Sequence, residues 1–196
     1  MSSTTRRSIR LWHVVVVVAV LSALWLGVSY NRFVRLRGVV STAWSQVETQ
    51  YQRRIDLIPN LVATVKGAAN FEQSTFVQVT EARSAWAQAK AVGDRSQEIA
   101  AAGAFDSAFS KLLVIVEAYP QLQATQAYRD LMTQLEGTEN RVSVARKDYN
   151  DAVFSYNVAI QSFPGLIAAH VLGFTSQVPF KASAGAENAP AVDFTK

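Results

Sequence analysis

Residues Leu11 to Tyr30 read LWHVVVVVAVLSALWLGVSY, twenty in succession without a formal charge. As a helix this run extends about 30 Å, the depth of a bilayer's hydrocarbon core. Arg6, Arg7 and Arg10 precede it and Arg32, Arg35 and Arg37 follow it, so cations that seek water and phosphate headgroups pin both ends. The segment therefore reads as an anchor that tethers everything downstream to a lipid bilayer. A cleaved secretory signal also opens with basic residues and an apolar run, but its apolar part is about 7–15 residues long and ends in a small-x-small cleavage site. Here the run is longer and leaves through Ser29-Tyr30-Asn31-Arg32, which favours an uncleaved anchor. Trp12, Trp25 and Tyr30 stand toward its ends, where amphipathic rings prefer the interface. Ala19, Ala23 and Gly27 recur every fourth residue. Such a stripe of small side chains lets two helices self-associate, and it is also common in membrane helices that do not.

Charge placement separates anchor from domain. The formal net charge is +4, yet six of the 19 Lys and Arg residues lie at or before Arg37, leaving 13 cations against 15 anions. A slightly acidic domain argues against a nucleic-acid partner, which needs a basic face on the folded part. With no cysteine in the chain, disulfides and thiolate metal sites are excluded. The two histidines are His13, inside the apolar run, and His170, in the short apolar patch Leu166 to Leu172. A histidine metal centre or a Ser-His-Asp triad therefore lacks raw material, and no cofactor is expected. Three arginines on each side of the anchor leave its orientation open.

Behind the anchor the pattern is helical throughout, so the expected fold class is all-α, an antiparallel bundle of long helices. Val40, Trp44, Val47, Tyr51, Ile55 and Ile58 step by three or four residues and mark one buried face. With no proline between Tyr30 and Pro59, the membrane helix can continue into the first bundle helix. Pro59 is expected to kink or turn the chain. A second helix is expected from Leu61 to Val92, ended by Gly93-Asp94, and a third from Ser96 to Ala118, stopped by Pro120. The fourth carries the most regular pattern, a coiled-coil-like heptad seam of Tyr128, Leu131, Leu135, Thr138, Val142, Ala145, Tyr149, Ala152, Tyr156, Ala159 and Phe163. Gly137 beside Thr138 suggests close helix approach. Glu136, Glu139, Asn140 and Arg141 form a candidate polar cluster there, or else a solvated face with local ion pairs. The resulting organisation is a disordered basic tail over 1–10, the anchor over 11–30, the bundle over 31–165, and a short apolar patch with a flexible tail over 166–196.

Several stretches carry a family resemblance. They are Tyr30-Asn31-Arg32-Phe33-Val34, Ala43-Trp44-Ser45-Gln46-Val47-Glu48, Arg53-Arg54-Ile55-Asp56-Leu57-Ile58-Pro59-Asn60-Leu61-Val62 and Val79-Thr80-Glu81-Ala82-Arg83. The second half adds Tyr119-Pro120-Gln121-Leu122, Leu135-Glu136-Gly137-Thr138-Glu139-Asn140-Arg141-Val142, Ala145-Arg146-Lys147-Asp148-Tyr149-Asn150 and Tyr156-Asn157-Val158-Ala159-Ile160-Gln161-Ser162-Phe163-Pro164. In this order they resemble the LemA family. The resemblance implies a bacterial single-pass protein of the cytoplasmic membrane with a bundle of long helices, and it implies no reaction. In the last twenty residues Lys181 and Ala-rich spacing replace the more acidic linker of that family.

The functional expectation is a membrane-anchored helical scaffold or adaptor that binds other membrane proteins, and not an enzyme. The alternatives are a membrane-shaping homo-oligomer assembled through Ala19, Ala23 and Gly27, and a hydrolase using Asp56, Glu136 or Glu139 as acid and base.

Overall fold

The computed structural model describes residues 3–65, 73–117 and 125–181, with side chains placed over 12–63, 76–114 and 125–181. Among the described residues there are five α-helices and no strand: α1 (Ser3–Val65), α2 (Gln73–Val92), α3 (Arg95–Glu117), α4 (Gln126–Gln161) and α5 (Gly165–Leu172). The fold is an all-α bundle. The chain divides into two compact units, Met1–Ala43 with Asp151–Gln177, and Trp44–Asn150 with Val178–Lys196.

α1 runs unbroken for 63 residues and carries Pro59 inside it. The turn expected at Pro59 is therefore absent. Pro59 is exposed while Ile58, Leu61 and Val62 are buried, so the packed turns on either side hold the helix through the one missing N–H donor. Leu61–Val65 consequently end α1 and do not open a second helix. α1 also begins at Ser3, inside the segment for which the sequence predicts no order.

In the second unit, stretches of α1 and α4 lie antiparallel, because Trp44 meets Tyr149 at 5.1 Å while Arg54 pairs with Glu139. α2 and α3 form a hairpin across Gly93-Asp94. Gly93 adopts φ 72°, a conformation that costs glycine little, and its N–H donates to the Ala89 carbonyl at 3.1 Å. Asp94 then caps α3, its Oδ1 accepting from the N–H of Ser96 at 2.8 Å. The core is aromatic: Trp86 lies 6.4 Å from Trp44 and 4.9 Å from Tyr51, and Phe105 lies 6.0 Å from Phe109. All six positions of the expected α1 face are buried.

The α4 seam is buried at ten of its eleven positions, Tyr128 through Ala159. Phe163 is the exception, because α4 ends at Gln161 and the chain turns at Ser162–Pro164 before Phe163 can reach the seam. Thr138 is satisfied locally, its Oγ1 donating to the Leu135 carbonyl at 2.7 Å. Gly137 does not serve close approach, since a Cβ there would meet nothing within 4 Å.

In the first unit, α5 follows that turn. Gly173, at φ 73°, ends it, and the Phe174 N–H donates to the Ala169 carbonyl at 2.9 Å, the 6→1 bond of a Schellman cap. Phe174 packs edge-on against Phe33 at 5.2 Å. Residues 174–181 are extended and bonded to α4 side chains, so this part of the expected flexible tail is held. Residues 182–196 lie outside the described residues.

Candidate functional site

The second unit buries a charge cluster drawn from three helices. Arg54 lies on the face that Tyr51, Ile55 and Ile58 bury, and it is 1% exposed. Desolvating a guanidinium costs several kcal/mol unless it is paired and bonded. Two carboxylates supply the pairing: Nη1 donates to Asp106 Oδ1 at 2.9 Å, and Nη2 donates to Glu139 Oε2. From α4, Arg146 Nη2 donates to Asp106 Oδ2 and to the Tyr51 hydroxyl, while that hydroxyl donates to Asp106 Oδ2 at 3.0 Å. Asp106 thus joins α1, α3 and α4. Rings complete the shell, with Arg54 over Phe109 at 5.4 Å and Arg146 over Phe180 at 4.8 Å, contacts that attract through the ring quadrupole.

Burial, with the nearby Asp106 carboxylate, pushes the Tyr51 phenol well above its ordinary range. Burial pulls the Arg146 guanidinium down, but Tyr51 and Asp106 together outweigh it and leave Arg146 raised. Close by, Arg95 stacks over Trp44 at 4.1 Å and bonds Glu98 at 2.8 Å, and burial raises the Glu98 carboxyl despite that partner. The cluster holds two guanidiniums against two carboxylates, each carboxylate already accepting from arginine. That arrangement fixes three helices to one another.

A second device repeats in each unit. In the second, the Tyr149 hydroxyl donates to the Val178 carbonyl at 2.7 Å. Asn150 Nδ2 donates to the Phe180 carbonyl at 3.0 Å, and the Phe180 N–H donates to Asn150 Oδ1 at 2.8 Å. In the first unit, the Tyr156 hydroxyl donates to the Thr175 carbonyl at 3.0 Å, Asn157 Nδ2 donates to the Gln177 carbonyl at 2.9 Å, and the Gln177 N–H donates to Asn157 Oδ1 at 2.8 Å. Each Tyr-Asn pair on α4 grips the backbone of two residues of the extended segment, through one carbonyl of the first and both the N–H and the carbonyl of the second.

The residues expected to matter are placed differently. Glu136, Glu139, Asn140 and Arg141 all lie exposed on α4, and of these Glu139 also pairs with Arg54 in the charge cluster. Asp56 accepts from Gln52 at 2.8 Å and lines a cleft with Arg53, Gly137 and Arg141 that neither Glu136 nor Glu139 lines. The three carboxylates of the hydrolase reading are therefore not brought to one cleft. Ala19, Ala23, Gly27, Arg32, Arg35 and Arg37 are exposed on α1. Arg6, Arg7 and Arg10 lie on α1, with side chains outside the described set. Among the described residues no group of three His, Cys, Asp or Glu could hold a metal ion.

Arg54, Asp106 and Arg146 were not singled out from the sequence. Arg54 follows Tyr51 by three residues and precedes Ile58 by four, so periodicity alone puts it on the buried face. The Tyr-Asn pairs at 149–150 and 156–157, one heptad apart, were the visible sign of the second device.

The sequence model of the LemA family matches residues 43–194, which takes in the whole charge cluster and both Tyr-Asn pairs. The chain belongs to the LemA family. Among its relatives, magnetosome protein MamQ 2 of Paramagnetospirillum magneticum is 30% identical over 189 residues, covering 83% of this chain and 70% of the relative. Magnetosome protein MamQ of Magnetospirillum gryphiswaldense is 30% identical over 168 residues, covering 74% of this chain and 62% of the relative. Protein LemA of Metamycoplasma hominis is 24% identical over 153 residues, covering 78% and 69%. In this LemA-family chain, Arg54, Glu139 and Arg146 of the charge cluster and both Tyr-Asn pairs stand within the family's motifs, while Tyr51, Asp106 and the gripped residues 175–180 stand outside them.

Proposed function

We propose that this LemA-family chain is a single-pass scaffold or adaptor of a bacterial cytoplasmic membrane, presenting its helical bundle to other membrane proteins. One observation supports the anchor most: Val14, Val15, Val17, Val18, Leu21 and Leu24 are all more than half exposed on α1, a helix long and apolar enough to cross a membrane. Contiguous apolar patches on soluble monomers rarely exceed a few hundred Å². A bilayer matches this surface without further partners. The scaffold role is supported by how the polar groups are used, since Arg54, Asp106 and Arg146 spend their charges joining three helices. Exposure of Ala19, Ala23 and Gly27 on the same helix favours self-assembly as the second reading.

Affinity purification from cross-linked membranes tests both. The full chain is compared with one whose residues 11–30 are replaced by an unrelated span of equal length. Other membrane proteins recovered equally with both chains support an adaptor acting through the bundle. Recovery of this chain's own copies alone, lost with the replaced span, would put self-assembly in its place. Release of the full chain from membranes by alkaline carbonate would remove the anchor.

A further inference from the structure

α5 turns inward only through Ala168 and Ala169. Leu166, Ile167 and Val171 face outward, as does Phe163 in the preceding turn, with Phe163 82% and Val171 65% exposed. His170, also exposed, shares the stripe at helical spacing. Eight residues make about 12 Å of helix, far short of a bilayer crossing.

The place where α5 is attached says what covers this face. Within the first unit it is seated on α1 at the end of the apolar run. A Cβ on Gly165 would stand 2.3 Å from the Ala159 carbonyl oxygen of α4 and 3.6 Å from the Phe33 ring of α1, so glycine lets the start of α5 close on the end of α4 with the α1 ring beside it. Phe174, just past the helix, meets Phe33 and also Tyr30, the latter at 5.8 Å. This level of α1 still carries exposed Val28, Tyr30 and Val34, together with exposed Arg32 and Arg35. α5 is therefore attached at a level of α1 that carries the kinds of aromatic and cationic side chains that mark a membrane interface.

We propose that Phe163 and α5 form a second lipid contact, lying in the interfacial layer beside the exit of the span while Arg32 and Arg35 meet headgroup phosphates. This rests on the anchor reading and adds to it. A short helix with one apolar face settles parallel to the surface at the boundary of headgroups and acyl chains, and adjacent cations strengthen its hold on anionic lipid. The first unit would then meet the membrane on two supports, the span and α5.

The absence of native cysteine permits a direct test on the full chain. Single substitutions Val18→Cys, Ile167→Cys, Val171→Cys and Val144→Cys, all at exposed positions, are labelled with an environment-sensitive fluorophore. The labelled chains are reconstituted in vesicles of phosphatidylethanolamine and phosphatidylglycerol carrying nitroxide lipids, after helix content and melting temperature are matched to the parent. The expected result is loss of fluorescence at Ile167 and Val171 with the nitroxide near the headgroup, loss at Val18 with the nitroxide deep in the acyl chain, and none at Val144. Labels at Ile167 and Val171 that behave like Val144 while Val18 is quenched would overturn the second contact and leave the anchor standing. Disulfide-linked pairs of Val171→Cys in place of quenching would assign the face to a second copy and also overturn it. An unquenched Val18 would remove the anchor, and this inference with it.

Discussion

Asn150 grips Phe180 by its backbone, giving Nδ2 to the carbonyl at 3.0 Å and taking the N–H on Oδ1 at 2.8 Å. The Phe180 ring is thereby set 5.6 Å from Trp44, in stacked geometry. Asn150→Ala removes both bonds and should cost about 2 kcal/mol, since each contributes about 1 kcal/mol net. Thermal unfolding reads the loss, and hydrogen exchange should speed up at the Phe180 amide first. Unchanged exchange there would show that other contacts hold the segment.

The charge cluster should be sensitive at its centre and tolerant at its edge. Asp106→Asn removes the carboxylate shared by two guanidiniums, one of them Arg54 with a side chain 2% exposed, and should cost about 3 kcal/mol. Glu139 has a side chain 66% exposed, so Glu139→Gln should cost less than about 1 kcal/mol. Urea denaturation of the two variants separates these values. The opposite order would mean that the solvent-facing carboxylate carries the cluster.

Two glycines should respond with opposite signs. Gly137→Ala places a methyl where nothing lies within 4 Å and should stabilise α4 by up to about 1 kcal/mol. Gly165→Ala drives a Cβ against the Ala159 carbonyl and should destabilise by about 1–3 kcal/mol. Melting temperatures decide both, and a destabilising Gly137→Ala would restore the close-approach reading.

Alkali should unfold the chain through its buried phenols. Burial raises the Tyr149 pKa from 10.0 to about 12, and it also raises Tyr51 and Tyr156. The folded chain therefore keeps protons that the unfolded chain has lost, and fewer protons bound when unfolded means stability that falls as pH rises. For Tyr149 the contribution is whole below about pH 10 and declines by about 1.4 kcal/mol per pH unit until about pH 12. Phenolate absorbance should rise together with loss of helix. Ionisation of these tyrosines in a still-folded chain would contradict their burial.

The helical seams were legible because a packed face repeats with the helix: Val40 to Ile58 on α1 and Tyr128 to Ala159 on α4 are buried as their spacing required. Pro59 misled, because a local rule about a missing donor lost to the packing of Ile58, Leu61 and Val62 around it. Phe163 misled in the other direction, since periodicity carries no information on where a turn will end a helix. Arg54 and Asp106 were hidden by their chemistry. A charged residue on an apolar face is ordinarily read as solvated, and its partner 52 residues away leaves no trace in local spacing. The Tyr-Asn pairs were visible as repetition, but what they hold is backbone, which has no signature in side-chain pattern.

A grip on backbone limits how this region can vary among relatives. Two neighbouring residues on the helix catch peptide groups two residues apart on the extended stretch, Val178 with Phe180 and Thr175 with Gln177. Swapping amino acids there leaves every donor and acceptor in position, except that proline at Gln177 or Phe180 would remove the N–H that the asparagine accepts. Adding or removing a single residue within either span would instead turn both the N–H and the carbonyl of the gripped residue away from the helix, so the stretch is nearly free in its lettering and fixed in its count.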